Sequence, residues 1–129
     1  MVKSNYISNI LNLLLDGKDY TCEAKKQLPF IEEDSFEYTG VGLFVYFKHS
    51  NGIIKHRLNE PDLVLDGVKI QSHEYSFEAD AILFFKEGLI NYLEIWCYAG
   101  NEYPKQDLKK YTLRQVWENS GNKTISTEV

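Results

Sequence analysis

The stretch "ADAILFFKEGLINYLEIWCYAG" (Ala79–Gly100) decides the fold. Glu87-Gly88 at its centre is a two-residue turn of the kind that joins antiparallel strands, since such turns need positive φ. Apolar residues on either side read as two strands, each with two faces. Counting outward from the turn pairs Lys86 with Leu89, Phe84 with Asn91, Ile82 with Leu93 and Ala81 with Glu94. That register predicts one face built from Ile82, Phe84, Leu93 and Ile95. It predicts a second, more aromatic face of Leu83, Phe85, Ile90, Tyr92, Trp96 and Tyr98, with Glu94 among them. This is too much apolar surface to leave wet on both sides. Either the chain's own helices and tail cover the two faces, or one face is an interaction site.

The rest of the chain fits around this hairpin. Ile7, Ile10, Leu11 and Leu14 recur at helical spacing, with Ser4 as N-cap and Gly17 as the stop. A second short helix is expected after Asp19, with Tyr20, Ala24 and Leu28 on one face and Pro29 at its end. "IEED" (Ile31–Asp34) reads as an acidic joint. From about Phe36 the period becomes strand-like. "YTGVGLFVYFKHSNGIIKHRL" suggests a hairpin turning at Ser50-Asn51-Gly52 and returning through Ile53 to Leu58. Leu63 to Ile70, interrupted by Asp66-Gly67, reads as two short strands or one broken strand. In the tail, a helical turn at Lys105 to Lys110 precedes an extended segment. The whole predicts a single α+β domain over residues 1–129, with N-terminal helices packed on an antiparallel sheet of about five strands. Residues 119–129 have little to bury and are expected to fray.

Composition narrows the function. The 129 residues carry 19 acids against 14 bases, a net charge of −5, which disfavours nucleic acid as the main partner and suits a basic protein. The apolar run near the N-terminus is too short to span a membrane, and no cleavage site follows it. Cys22 and Cys97 form no CxxC motif, in keeping with reduced thiols in a cytoplasmic protein.

A search for chemistry finds little. His49, His56 and His73 show no metal-binding spacing, so neither a metal nor another cofactor is expected. No nucleophile elbow is present, and Cys97 reads as inert packing. "EPD" (Glu60–Asp62) followed by "LEIW" (Leu93–Trp96) has the order of a carboxylate nuclease site, but Trp96 stands where that chemistry needs a lysine. Glu94 between Tyr92 and Trp96 could act as a general acid or base in an aromatic pocket, though no second group accompanies it. The simpler reading is a rim glutamate paired with a base such as Arg114.

"YTGVGLFVYF", "LVLDGVKIQS", "ADAILFFKEGLINYLEIWCYAGNEYP" and "YTLRQVW" together resemble a group of small bacterial proteins found beside polymorphic-toxin genes, including immunity proteins of contact-dependent growth inhibition systems. The resemblance covers Tyr38 to Trp117 and rests on ordered apolar blocks and turns. It implies a cytoplasmic, non-enzymatic inhibitor that binds one cognate toxin, often a nuclease, and blocks its active site. The resemblance carries no binding residue over to this chain.

Acidic and aromatic side chains at loops and strand ends suit a basic partner, with carboxylates steering the encounter and rings anchoring it. On that basis the expected partner-binding residues are Glu32, Glu33 and Asp34 in the acidic joint, with Tyr98, Glu102 and Tyr103 at the end of the long hairpin. The alternatives are a small enzyme using Glu94 and a structural homodimer joined through the aromatic face.

Overall fold

The computed structural model describes residues 1–17 and 20–128, and only the backbone of Tyr20. Helix α1 (Asn5–Leu14) and the short α2 (Tyr20–Lys25) precede seven strands: β1 (Ile31–Tyr38), β2 (Gly42–His49), β3 (Val64–Ser72), β4 (Phe77–Lys86), β5 (Leu89–Gly100), β6 (Thr112–Gln115) and β7 (Thr124–Ser126). The strands form one sheet in the order β1-β2-β5-β4-β3-β6-β7, with every neighbour antiparallel. The fold class is therefore α+β as expected, but with seven strands rather than five.

The two additional strands lie at the sheet's edges. The acidic joint is the beginning of β1, so the hairpin partner of β2 precedes it in the chain. Ile53–His56, expected to return as a strand, instead forms a turn of 3-10 helix. At the other edge, Thr124–Ser126 pairs with β6 inside the segment expected to fray. Residues 105–110 form no helix, whereas the extended segment after them is β6. The break in Leu63–Ile70 is a bulge within the single strand β3.

One face of the sheet holds the core. Tyr6, Ile7, Ile10, Leu11 and Leu14 of α1 pack over Val68, Ile70, Ala79, Ala81, Leu83, Leu93, Ile95 and Leu113. Ser4 caps α1 by accepting from the Ile7 N–H, as its position suggested. Asp19, after which the second helix is expected, lies outside the described residues. The loop after β5 joins the same side. Tyr103 is buried there, with its hydroxyl 2.8 Å from that of Tyr6 and its ring against Phe77 and Tyr38.

Two buried amides tie this arrangement together. The Gln27 side chain donates to the carbonyls of His56 and Gly88 and accepts from the Ile90 N–H. Gln115 donates to Leu13 O and Asp16, and accepts from the Lys123 N–H. Among the described residues, no buried side-chain polar atom lacks a partner.

The hairpin β4–β5 turns at Glu87-Gly88 as expected, with φ of 53° and 78°. Its register then departs from the simple count. Lys86 pairs with Leu89 and Phe85 with Ile90, but Phe84 pairs with Tyr92, leaving Asn91 as a bulge. From Phe84 to Ala79 every pairing shifts by one residue, so that Ile82 faces Glu94 and Ala81 faces Ile95, and a second bulge at Tyr98 shifts Glu78 and Phe77 by one more. The predicted faces of β4 are therefore exchanged. Leu83 and Phe85 are inside with Leu93, while Ile82 and Phe84 stand outside with Tyr92. Ile90, expected outside, is fully buried.

The physical reason is charge. Glu78, Asp80 and Lys86 all occupy even positions of β4, and Glu94 is even in β5. A straight count from the turn pairs even with odd, which would bury charges from one strand or the other. One extra residue restores even against even, at the small expense of an interrupted ladder.

Candidate functional site

The sheet's second face carries no helix among the described residues, since the buried side chains of both helices join the core on the opposite side. Its centre is aromatic. Phe84 and Tyr92 stack with ring centroids 4.5 Å apart, and Tyr46 lies 5.7 Å beyond Tyr92. Phe44 touches both tyrosines, with centroids 6.1 and 6.2 Å away. Trp96 and Tyr98 continue the surface along β5, 6.4 Å apart. Trp96 is 47% exposed, Tyr98 41%, Tyr46 37% and Val64 at the far side 51%.

These rings converge because alternate residues of neighbouring strands share a face. Phe44 and Tyr46 stand directly opposite Glu94 and Tyr92, while Phe84 stands opposite Tyr92 from the other side. Gly42 pairs with Trp96 and has no side chain to shield it. A Cβ there would lie 1.9 Å from the Ile95 carbonyl, so close backbone approach requires the glycine. The aromatic zone spans three strand spacings, about 14 Å, and about 20 Å along β5. Its footprint is on the order of 300 Å², roughly a third of what each partner of a stable complex covers. Size alone does not mark it as a site, because many monomers expose as much. Its composition is that of interface anchors, which are enriched in Trp and Tyr.

Charged groups frame the rings. Lys69 is 2.6 Å from the Asp80 carboxylate and 4.4 Å from the centroid of the Tyr98 ring. The Asp80 hydrogen bond chiefly holds the lysine's pKa above its ordinary value. Glu37 accepts from the Tyr46 hydroxyl at the β1 edge. Glu94 sits at the centre of the sheet rather than at its rim. Arg114, its suggested partner, is on β6, three strands away, and no hydrogen bond or ion pair joins Glu94 to another described residue. Among the described residues no second titratable group is thus hydrogen-bonded to it, and it is half-buried on that face.

The residues expected to contact a partner are not brought together. Glu33 pairs with Phe47, whereas Tyr98 lies beyond the Gly42–Trp96 pair. Glu33 and Tyr98 are therefore separated by roughly 20 Å along the strands. Glu33 accepts from the Lys3 and Ser4 N–H groups at the start of α1, where a carboxylate also favours the helix dipole. Reversing its charge would therefore disturb the fold as well as any encounter. Glu32 is held by Lys3 and Lys48, and the Lys3 hydrogen bond chiefly lowers its pKa. Asp34 is the exposed bulge residue of β1. Tyr98 and Glu102 are exposed, but Tyr103 is only 3% exposed and is a core residue, which removes it from any contact surface.

Phe44, Tyr46, Ile82 and Phe84 were not anticipated as surface residues. The even-numbered charges of β4 were the signal that could have placed Ile82 and Phe84. The histidines serve separate ends: the His49 ring meets the Ile90 carbonyl, His56 lies against Phe30, and His73 pairs with Glu128. Among the described residues, no three His, Cys, Asp or Glu side chains group as metal ligands. No described helix is long and apolar enough to cross a membrane.

No protein-family model matches this chain, and no curated protein or solved structure matches it either.

Proposed function

We propose that this chain is a non-enzymatic immunity protein of the bacterial cytoplasm. In this reading it binds a cognate toxin, a nuclease, and neutralises it by covering its active site. The uncovered aromatic sheet face carries the proposal. A flat surface of Tyr46, Tyr92, Trp96 and Tyr98, backed by a fully buried core, offers the rigid anchors that dominate protein interfaces. The net charge of −5 would speed encounter with a basic nuclease. The likeness to small proteins encoded beside toxin genes names the kind of partner.

The test is to co-express the chain with the C-terminal domain of the polypeptide encoded immediately upstream. Protection of growth and a co-purifying complex, both lost in Trp96→Ala, are expected. Absence of both protection and complex formation with the unaltered chain rejects the reading. The same exposed face would also suit a homodimer. Light scattering that reports a monomer at all concentrations removes that alternative.

A further inference from the structure

One cation site on the outer face is filled by the chain itself. In the filled site, Lys69 lies between the Asp80 carboxylate and the Tyr98 ring. A positive charge is favoured there twice, by the carboxylate and by the negative face of the ring. In the row centred on Glu94 the same ingredients recur. Phe44 stands directly opposite Glu94 on one side and Ile82 on the other, with Tyr92 and Trp96 two residues away along β5. Glu37, across from Phe44 on β1, places a further carboxylate about 10 Å from Glu94, two strand spacings away. Yet Glu94 has no partner among the described residues. Of the chain's own bases, Lys69 is engaged by Asp80, Lys48 by Glu32, and Arg114 is three strands away.

We propose that the Glu94 row is a socket for an arginine side chain presented by the protein partner. This inference rests on the docking-face reading and specifies the chemistry of its anchor. A guanidinium suits the socket better than an ammonium. Its plane can lie on the rings while its edge donates to Glu94, and it sheds its hydration more readily. The carboxylate at the centre of the apolar zone then discriminates among partners, because a partner without a cation there would leave it covered and unpaired.

The test uses a short peptide alternating arginine and glycine, and a second peptide with neutral citrulline in place of arginine. The readout is the indole N–H signal of Trp96 in nitrogen-labelled protein, with Trp117 as internal control. The arginine peptide is expected to move the Trp96 signal saturably and the citrulline peptide not to. Glu94→Gln should weaken binding at least fivefold. Glu60→Gln, an equal charge change at an exposed site outside the strands, should weaken it less than twofold. Ile82→Lys, which supplies an internal cation beside Glu94, should also abolish the shift while leaving the folded spectrum dispersed. Equal responses to both peptides, equal effects of the two glutamine variants, or no shift at all would overturn the socket. The docking face fails separately. If the complex with the upstream polypeptide is lost in Trp96→Ala but unchanged in Glu94→Gln, the face stands and the socket falls. If Trp96→Ala leaves that complex unchanged, the face itself is rejected.

Discussion

Truncating Leu83 to alanine and, separately, its neighbour Ile82 to alanine asks which side of β4 is inside. Leu83 is 0% exposed and lies between Leu93 and Leu65 on the flanking strands. Losing about three buried carbon groups costs roughly 2.4 kcal/mol in transfer free energy. The cavity left beneath α1 brings the total to about 3–4 kcal/mol. Ile82 pairs with Glu94 on the uncovered face and is only partly buried. Water can fill the space it leaves, so no cavity term applies and the loss is about 1 kcal/mol. The expected ratio is thus roughly threefold, and Leu83→Ala removes a large share of a stability of about 5–15 kcal/mol. Urea unfolding, with the denaturant dependence unchanged between variants, measures both values. Equal losses, or a larger loss at Ile82, would mean that the hairpin follows the straight count from Glu87-Gly88. The aromatic face would then be wrongly drawn, and the docking proposal would fall with it.

Other outcomes follow from the same packing. Trp96→Ala should weaken the complex with the upstream polypeptide by about thirtyfold or more, yet cost no more than about 1.5 kcal/mol of folding stability, since nearly half the ring is already in water. Titration calorimetry and chemical unfolding together check the split. Gln27→Leu leaves the buried Ile90 N–H without an acceptor, while the Gly88 carbonyl keeps its bond from the Leu58 N–H. A loss of about 2–3 kcal/mol is expected by urea unfolding, and a loss below about 1 would show that the amide is dispensable. Burial holds the Tyr6 hydroxyl well above its ordinary pKa of 10.0, and burial likewise raises that of Tyr103. Folded chains therefore keep protons that unfolded chains release above about pH 10. This contribution to stability is complete below that pH and declines as pH rises further. Thermal melts from pH 8 to 11.5 should show the decline, and a double Tyr6→Phe, Tyr103→Phe variant should flatten it.

Local signals determined a good part of this protein. The α1 stripe, the Ser4 cap, the Glu87-Gly88 turn and the broken β3 all follow from chemistry within a few residues. The α+β class followed from the change of period near Phe36. The partner side chains of Ser4 and Glu33 could not be read this way, because helix and edge strand meet only after the chain folds back. The same holds for Tyr103, whose ring and hydroxyl look like surface features until Tyr6 arrives from the other end of the sequence.

What only tertiary structure decided was which side of the sheet is wet. The turn and the charges of β4 gave opposite answers about parity, and counting from the turn alone reversed the faces. The bulge at Asn91, next to the turn, reconciles them. Its small local penalty is outweighed by keeping Glu78, Asp80 and Glu94 in contact with water while Leu83, Phe85 and Ile90 leave it. Pairing of that kind is a property of the whole sheet under its covering helix. No window of the sequence contains both the cost and the gain.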